Sequence, residues 1–164
     1  MLPPFHLAIS NSTIPQAGLG LFASHDMPAG TNLGLYPGVL VPLAHYRRTK
    51  LTSKPEAASY AWNLQSGRGV LDPTDPSGKI LDVCKGGSGL IPLSLFLFGT
   101  VFSTAAVDTR LARINEPPAG VPPNVEAAED TGGGRVLFYL GRDVADGEEL
   151  FLDYGPKYDR SGYR

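Results

Sequence analysis

Short apolar or alternating runs, separated by turn-forming residues, dominate the hydrophobic pattern of the chain. Such runs, bounded by Gly, Pro, Asn and Asp, are typical of β-strands, and long stretches with a helical period are scarce. The pattern predicts strands at residues 6–9, 21–23, 60–64, 70–72 and 148–154, a strand pair at 31–41 broken at Pro37-Gly38, and a hairpin of 124–128 and 135–140 around the glycines at 132–134. We therefore predict a mainly β fold of small, short-stranded sheets.

One short helix is predicted at residues 42–50. Pro42 falls in its first turn, where a missing backbone N–H costs nothing. Arg47, Arg48 and Lys50 fall near its end, where the helix dipole favours positive charge. We interpret this basic cluster as a solvent-exposed helix face.

An uncharged stretch of 22 residues, 86–107, interrupts this pattern. Its length would admit a membrane span, but Pro92, Gly99 and several Ser and Thr residues dilute its apolar character. The segments on both sides also read as parts of one folded unit, which a span would separate. We therefore expect no membrane span but a buried insertion or a cover over an apolar groove, with an artefact of the gene model as another reading. An exposed 90–101 segment would favour a homodimer.

The composition narrows the classes of protein to which the chain can belong. Its 164 residues suit a single domain, and 20 Gly and 15 Pro residues suit many turns. The formal net charge of −2 offers no basic surplus for direct binding of nucleic acid. A single cysteine, Cys84, cannot form an internal disulfide or a Cys-rich zinc site. Residues 1–10 lack the pattern of a signal peptide, so we expect an intracellular protein without a metal.

Four segments in a fixed order carry candidate chemistry. In the first, residues 17–23, two glycines flank Leu19 and let the backbone approach a ligand without an intervening Cβ. The others are 26–30 with 35–38, then 113–115 with 123–124, and finally 145–155, which reads Ala-Asp-Gly-Glu-Glu-Leu-Phe-Leu-Asp-Tyr-Gly. A lone Gly-x-Gly indicates only a turn, so the four segments carry weight together.

Together these segments resemble the SET domain family of lysine methyltransferases, over residues 7–158. The most specific likeness is Gly-Glu-Glu-Leu-x-x-Asp-Tyr-Gly at 147–155, which follows the family's C-terminal signature. The resemblance implies small β-sheets, a short helix or two, and a pseudoknot-like arrangement in which the C-terminal segment is threaded past the loop carrying Asn115. It divides a single domain, 1–164, into an N-terminal portion 7–77, a variable insert 78–111, a C-terminal portion 112–158 and a tail 159–164.

The resemblance also implies the cofactor, S-adenosylmethionine, and the residues of the site. Donor contacts are expected at Gly18, Leu19, Gly20, Tyr36, Arg113, Asn115, Glu116 and Tyr154, and a catalytic centre at Tyr154, Tyr36 and Tyr60. The glycine segment would offer backbone contacts, Asn115 would bind the donor's amino-acid portion, and Glu116 would use its main chain near the adenine. Tyr36 and Tyr60 would lie at a narrow channel that joins the donor to a peptide on the opposite face.

The third segment departs from the family pattern. Where the family has Asn-His-Ser-Cys before Pro-Asn, this chain has Asn-Glu-Pro-Pro and a longer loop. The cysteine that joins a zinc site in some members is missing from this motif, so we expect no post-SET zinc site. Glu116 would place a negative charge near the adenine.

Three functions are open on these grounds. The first is methyl transfer from S-adenosylmethionine to the ε-amine of a lysine in a protein or peptide, with a histone tail among the candidate substrates. The second is a catalytically silent SET-fold module that binds a peptide or protein partner, and a purely structural reuse of the fold is a weaker third. Five acidic residues form either a rim for a basic peptide or ordinary solvated charge: Glu126, Glu129, Asp130, Glu148 and Glu149.

Overall fold

The computed structural model describes residues 6–65, 67, 69–80, 109–130, 134–156 and 158. Its strands are β1 (Leu7–Asn11), β2 (Leu19–Ala23), β3 (Asn32–Leu35), β4 (Val39–Val41), β5 (Trp62–Asn63), β6 (Val70–Asp72), β7 (Val125–Asp130) and β8 (Arg135–Leu140). Helix α1 (Leu43–Tyr46) continues as a π-helical turn at Arg47–Leu51, and three-ten helices lie at Pro55–Tyr60 and Arg110–Arg113. Within the described residues the strands form three small sheets, ordered β1-β2, β3-β8-β7 and β4-β6-β5. The predicted mainly β fold of small sheets is confirmed.

The chain packs into two compact units, each built from segments that are distant in sequence. The first comprises Met1–Gly34, Arg113–Ala128 and Leu137–Arg164, and the second comprises Leu35–Ala112 and Glu129–Val136. The predicted N-terminal portion, insert, C-terminal portion and tail divide the chain along its sequence, and that division stays a prediction.

The β1-β2 hairpin opens the first unit. Leu7 pairs with Ala23 and Asn11 with Leu19 in an antiparallel register. The core of this unit includes the fully or almost fully buried side chains of Leu21, Val125, Phe138, Leu140 and Leu150. Each side chain of this size contributes about 1.5–3 kcal/mol when it leaves water, so this core supplies much of the stability of the unit.

The C-terminal segment is threaded between other parts of the first unit. The amide of Leu150 donates to the carbonyl of Leu21 at 2.7 Å, which lays the segment along β2. In the Phe151–Leu152 peptide, the C=O accepts from the amide of Val125 at 2.9 Å and the N–H donates to the carbonyl of Asn115 at 3.0 Å. The C=O and N–H of a trans peptide point in opposite directions, so Asn115 and Val125 flank the segment on opposite sides. The implied threading past the Asn115 loop is therefore present.

The strand predicted at 148–154 has the alternating polar and apolar residues of a half-buried strand, but the structure has isolated bridges there and the burial does not alternate. Glu149, Leu150, Phe151 and Leu152 are all buried, with exposures of 4%, 0%, 8% and 5%. Successive side chains of an extended segment point to opposite faces, so both faces are covered here. A segment covered on both faces loses the alternation that its sequence suggests.

The predicted helix at 42–50 is confirmed in the second unit, with a start at Leu43 and an end at Leu51. Arg47 and Arg48 are exposed, as predicted for a solvated face. The prediction is wrong for Lys50, because its ammonium contacts the Asp72 carboxylate at 2.5 Å.

Two strand predictions need correction. Residues 31–41 form two strands, but β3 and β4 belong to different sheets and do not pair with each other. The predicted strand at 60–64 shrinks to β5, and Tyr60 ends the three-ten helix Pro55–Tyr60. Pro55 occupies the first turn of that helix, where its fixed φ suits helical geometry. The helix that begins there includes Tyr60, so Tyr60 is not part of a strand.

Several predictions fall on other parts of the chain. The uncharged stretch 86–107 with its proposed dimer surface, Cys84, the glycines at 132–133 and the tail 159–164 lie outside the described residues. Within the described part of the chain, no helix has the length and apolar character that crossing a membrane requires.

Candidate functional site

The first unit brings the glycine segment and Asn115 together. The side-chain amide nitrogen of Asn115 donates to the carbonyl of Leu19 at 3.2 Å. The Asn115 carbonyl accepts from the Leu152 amide. The hydrogen bond to Leu19 then connects the Asn115 side chain to the start of β2. The sequence prediction grouped these residues as donor contacts, and the structure places them next to one another.

The two glycines that flank Leu19 differ in their surroundings. Gly18 has a φ of +75°, and a Cβ built there would meet no atom of the described residues within 4 Å. At Gly20 a Cβ would lie 2.1 Å from the Glu149 carboxylate, so any side chain there would force the carboxylate to move. Gly18 thus lies beside open space that a ligand can occupy, and Gly20 permits close packing beneath it.

Glu149 lies under this segment, a buried position that the sequence analysis did not predict. It is 4% exposed, so it cannot belong to an acidic rim. Its carboxylate accepts hydrogen bonds from the hydroxyl of Ser12 at 2.7 Å, the amide of Thr13 at 2.7 Å and the Asn115 amide nitrogen at 3.1 Å. Burial raises the pKa of Glu149, but the hydrogen bonds from Thr13, Ser12 and Asn115 together hold it below its ordinary value. The carboxylate is therefore ionised at neutral pH.

Tyr154 follows the threaded segment. Its hydroxyl donates to the carbonyl of Ile114 at 2.6 Å, and its ring meets that of Tyr158 edge-on with centroids 4.6 Å apart. The Tyr154 amide donates to the Glu116 carboxylate at 3.3 Å. Tyr154 is therefore fixed against the two residues that precede and follow Asn115.

Arg113 and Glu116 lie on either side of Asn115 in the sequence and are half-buried. The Nε of Arg113 is buried and has no hydrogen-bond partner among the described residues. An N–H donor left in this state costs free energy unless a ligand or water satisfies it. The Glu116 carboxylate accepts a hydrogen bond from the Tyr154 amide. This contact of the side chain is separate from the main-chain contact to an adenine that was predicted for Glu116.

Tyr36 and Tyr60 lie in the second unit. The Tyr36 hydroxyl donates to the main-chain carbonyl of Tyr60 at 2.5 Å, and its ring is tilted against that of Trp62 at a centroid distance of 5.5 Å. Burial, with a smaller contribution from the negative charge of Asp72, raises the pKa of Tyr36 well above its ordinary value. The phenol therefore stays neutral, and Tyr60 contributes its backbone to this pair.

The remaining acidic residues pair locally. In the first unit, Glu126 accepts from the Tyr139 hydroxyl at 2.8 Å and Glu148 accepts from Arg142 at 2.6 Å. In the second unit, Glu129 accepts from the amide of Gln65 at 2.8 Å, and Asp130 lies 3.3 Å from Arg135. Such pairing favours ordinary surface charge over a rim for a basic peptide. Among the residues that the structure describes, no three His, Cys, Asp or Glu side chains gather as a metal site would require.

The SET domain family model matches residues 18–155, most of the chain. The chain belongs to the SET domain family. The matched stretch contains all the predicted site residues, from Gly18 to Tyr154. No curated protein matches the chain at a significant level.

Solved structures of a Polycomb Repressive Complex 2 (PRC2) share the SET fold. A ctPRC2 in an autoinhibited conformation bound to S-adenosylmethionine is 20% identical, with a TM-score of 0.58, and the match covers 93% of this chain and 15% of that one. A humanized mutant of the Chaetomium thermophilum complex, bound to an inhibitor, is 18% identical with a TM-score of 0.56, and the match covers 93% of this chain and 15% of that one. A crystal structure of the Chaetomium thermophilum complex is 21% identical with a TM-score of 0.56, and its match covers the same 93% of this chain and 15% of that one. The chain thus spans 15% of the length of these neighbours, and at this identity the likeness shows the fold.

The first-unit residues fit the methyl donor that the SET family implies. Gly18 leaves space open beside exposed backbone, and the buried Nε–H of Arg113 is a donor without a hydrogen-bond partner among the described residues. Among the described residues the Asn115 side chain makes its hydrogen bonds through Nδ2, so Oδ1 remains an acceptor for an ammonium group. These residues would bind the donor's polar groups through main-chain atoms and through the side chains of Arg113 and Asn115.

Proposed function

We propose that this SET domain transfers a methyl group from S-adenosylmethionine to the ε-amine of a lysine in a protein or peptide. The observation that carries the proposal is the central position of Asn115. Its side chain bonds to Leu19 in the glycine segment, and its main chain bonds to Leu152, two residues before Tyr154. One residue thus ties the expected donor contacts to the expected catalytic tyrosine.

S-adenosylmethionine supplies, when bound, a methyl group on a sulfonium sulfur, which a neutral amine takes up as the C–S bond breaks and the amine proton passes to water. Lysine has an ordinary pKa of about 10.4, so the protein must favour the neutral amine. Removal of water by aromatic side chains disfavours the ammonium and lowers that pKa. An aromatic side chain beside the amine, as expected for Tyr154, suits this task.

Tyr154 would position the reacting groups. Its hydroxyl gives its only proton to the Ile114 carbonyl at 2.6 Å. Toward any further group the phenol oxygen therefore acts only as an acceptor. An acceptor fixed in this way aligns an amine N–H or a polarised methyl C–H, and such alignment lowers the reaction barrier.

The substrate class rests on membership of the SET family. A lysine-containing protein or peptide, with a histone tail among the candidates, is the substrate that the family implies. The net charge of −2 supports a polypeptide over nucleic acid as the direct partner.

Calorimetric titration of the purified chain with S-adenosylmethionine is the first test. We expect saturable binding to the wild type and none to Gly18→Trp, whose indole would fill the open space beside the glycine segment. Circular dichroism of both proteins checks that they are folded. A folded wild type that binds no donor at millimolar concentration would refute the proposal.

Tyr154→Phe tests the catalytic assignment in proteins that bind the donor. Loss of the bond to Ile114 frees the ring to shift, and we expect transfer of radiolabelled methyl to lysine peptides to fall about 100-fold. Tyr139→Phe is the matched control, because Tyr139 also donates its hydroxyl in the first unit, to Glu126, and should retain transfer. Unchanged transfer by Tyr154→Phe would contradict the role.

A second candidate is a silent SET-fold module that binds a peptide or protein partner. It is favoured by the altered loop after Asn115, where Glu116 places a carboxylate against the Tyr154 amide. Such a module would bind a partner without consuming S-adenosylmethionine. Donor binding without any transfer across a panel of lysine peptides would favour it.

A further inference from the structure

We propose that Glu149 is a positioning residue whose buried carboxylate sets the orientation of the Asn115 amide, so that Oδ1 faces the amino-acid portion of the methyl donor. The inference rests on the proposed function, since it concerns the same donor site. It assigns a role to the second glutamate of the Gly-Glu-Glu segment, which is not among the expected donor contacts.

Both oxygens of the Glu149 carboxylate accept hydrogen bonds. Oε1 accepts from the Ser12 hydroxyl at 2.7 Å and from the Asn115 nitrogen at 3.1 Å. Oε2 accepts from the amide of Thr13 at 2.7 Å and from its hydroxyl at 2.5 Å. An ionised carboxylate has no proton to donate, so each neighbour must present a donor to it.

This requirement fixes which way the Asn115 amide points. One nitrogen, Nδ2, lies 3.1 Å from the Glu149 carboxylate and 3.2 Å from the Leu19 carbonyl. Both partners are acceptors, and Nδ2 has the two hydrogens that they need. If the amide were rotated by half a turn, Oδ1 would face two oxygens and both bonds would be lost. Oδ1 therefore points to the other side, where it can accept from the donor's ammonium.

The packing around Gly20 keeps the carboxylate in this position. A Cβ on Gly20 would lie 2.1 Å from Oε1 of Glu149 and 3.3 Å from Nδ2 of Asn115. The absence of a side chain thus lets the carboxylate, the amide and the glycine segment lie in contact. Ser12 and Thr13, in the turn between β1 and β2, hold the carboxylate from the far side.

Calorimetric titration of S-adenosylhomocysteine, the product of methyl transfer, into Glu149→Gln tests the inference. A glutamine can offer its own NH2 to Asn115, so the amide is no longer held in one orientation. We expect affinity to fall about tenfold, equivalent to about 1.4 kcal/mol. Glu148→Gln makes the same change one residue earlier, where the carboxylate bonds to Arg142, and should bind as the wild type does.

A double-mutant cycle with Asn115→Ala separates positioning from a general structural effect. If Glu149 acts through Asn115, adding Glu149→Gln to Asn115→Ala should weaken binding no further. Additive losses, or wild-type affinity of Glu149→Gln, would overturn the inference. A wild type that binds no ligand would refute the proposed function instead, so the two failures are distinguishable.

A nuclear magnetic resonance measurement on the wild type covers the case in which Glu149→Gln does not fold. With the Asn115 side-chain amide assigned by comparison with Asn115→Ala, its protons should show a strong cross-peak to the α-protons of Gly20 in the free protein. An assigned amide without that cross-peak would contradict the orientation on which the inference depends.

Discussion

Gly18 and Gly20 occupy the same short motif for different physical reasons. Gly18 adopts a φ of +75°, a conformation that costs other residues energy, and borders open space. Gly20 is not in that conformation, but the Glu149 carboxylate occupies the place of its missing side chain. A ligand contact would therefore depend on Gly18 directly and on Gly20 through Glu149 and Asn115.

Gly20→Ala is expected to lower both stability and donor affinity. The added methyl forces the Glu149 carboxylate away from Ser12 and Asn115, and buried groups left without partners cost about 1–3 kcal/mol. The methyl of Gly18→Ala would meet no atom of the described part of the chain and should cost only about 1 kcal/mol for its backbone conformation. Urea unfolding of the two variants measures the difference, and a Gly20→Ala protein as stable as the wild type would contradict the packing.

The π-helical turn Arg47–Leu51 illustrates how one element is anchored to another within the second unit. The Lys50 ammonium contacts the Asp72 carboxylate in β6 and donates to the carbonyl of Thr74 at 2.9 Å and to its hydroxyl at 2.7 Å. The side chains of Lys50 and Asp72 are 17% and 4% exposed. A cation in this setting is a structural clamp, since water screens it weakly.

Lys50→Met should destabilise the protein strongly, because it leaves the buried Asp72 carboxylate without its cation. Breaking a buried pair in this way costs about 3–5 kcal/mol. Arg48→Met removes an exposed cation from the same turn and should change the unfolding free energy by less than about 0.5 kcal/mol. Equal midpoints of thermal unfolding for the two variants would show that the clamp contributes nothing.

Across the whole molecule, the threaded C-terminal segment joins parts of the first unit that are distant in sequence. It contacts β2 through Leu150, and its next peptide bonds to Asn115 on one side and to Val125 on the other. The same segment places Leu150 in the core with no exposed surface. The site and the core of this unit therefore depend on one stretch of chain.

Leu150→Ala is expected to destabilise the protein by about 2–5 kcal/mol, as large-to-small changes in a packed core do. Leu19→Ala makes the same change at a side chain that is 44% exposed and should cost far less. Chemical unfolding followed by circular dichroism gives both values. A small effect at Leu150 would show that the segment is not part of the core.

Local sequence was sufficient to predict the mainly β class, most strands and the helix after Pro42, whereas Gly18, Leu19 and Asn115 were grouped by the resemblance to the SET family. Short apolar runs, prolines and glycines act over a few residues, so their effects can be predicted without knowing the fold. The fourth motif was specific enough to indicate the SET family, and the family match confirms that prediction.

Residues whose roles depend on long-range packing escaped prediction. Glu149 was predicted to be either part of an acidic rim or solvated charge, yet threading covers both faces of the segment and makes Glu149 the buried partner of Ser12, Thr13 and Asn115. Lys50 looked like part of a solvated helix face until Asp72 approached it from another element. Hydrophobic period describes which face of a segment is apolar, whereas partners from distant parts of the chain determine which polar groups can be buried.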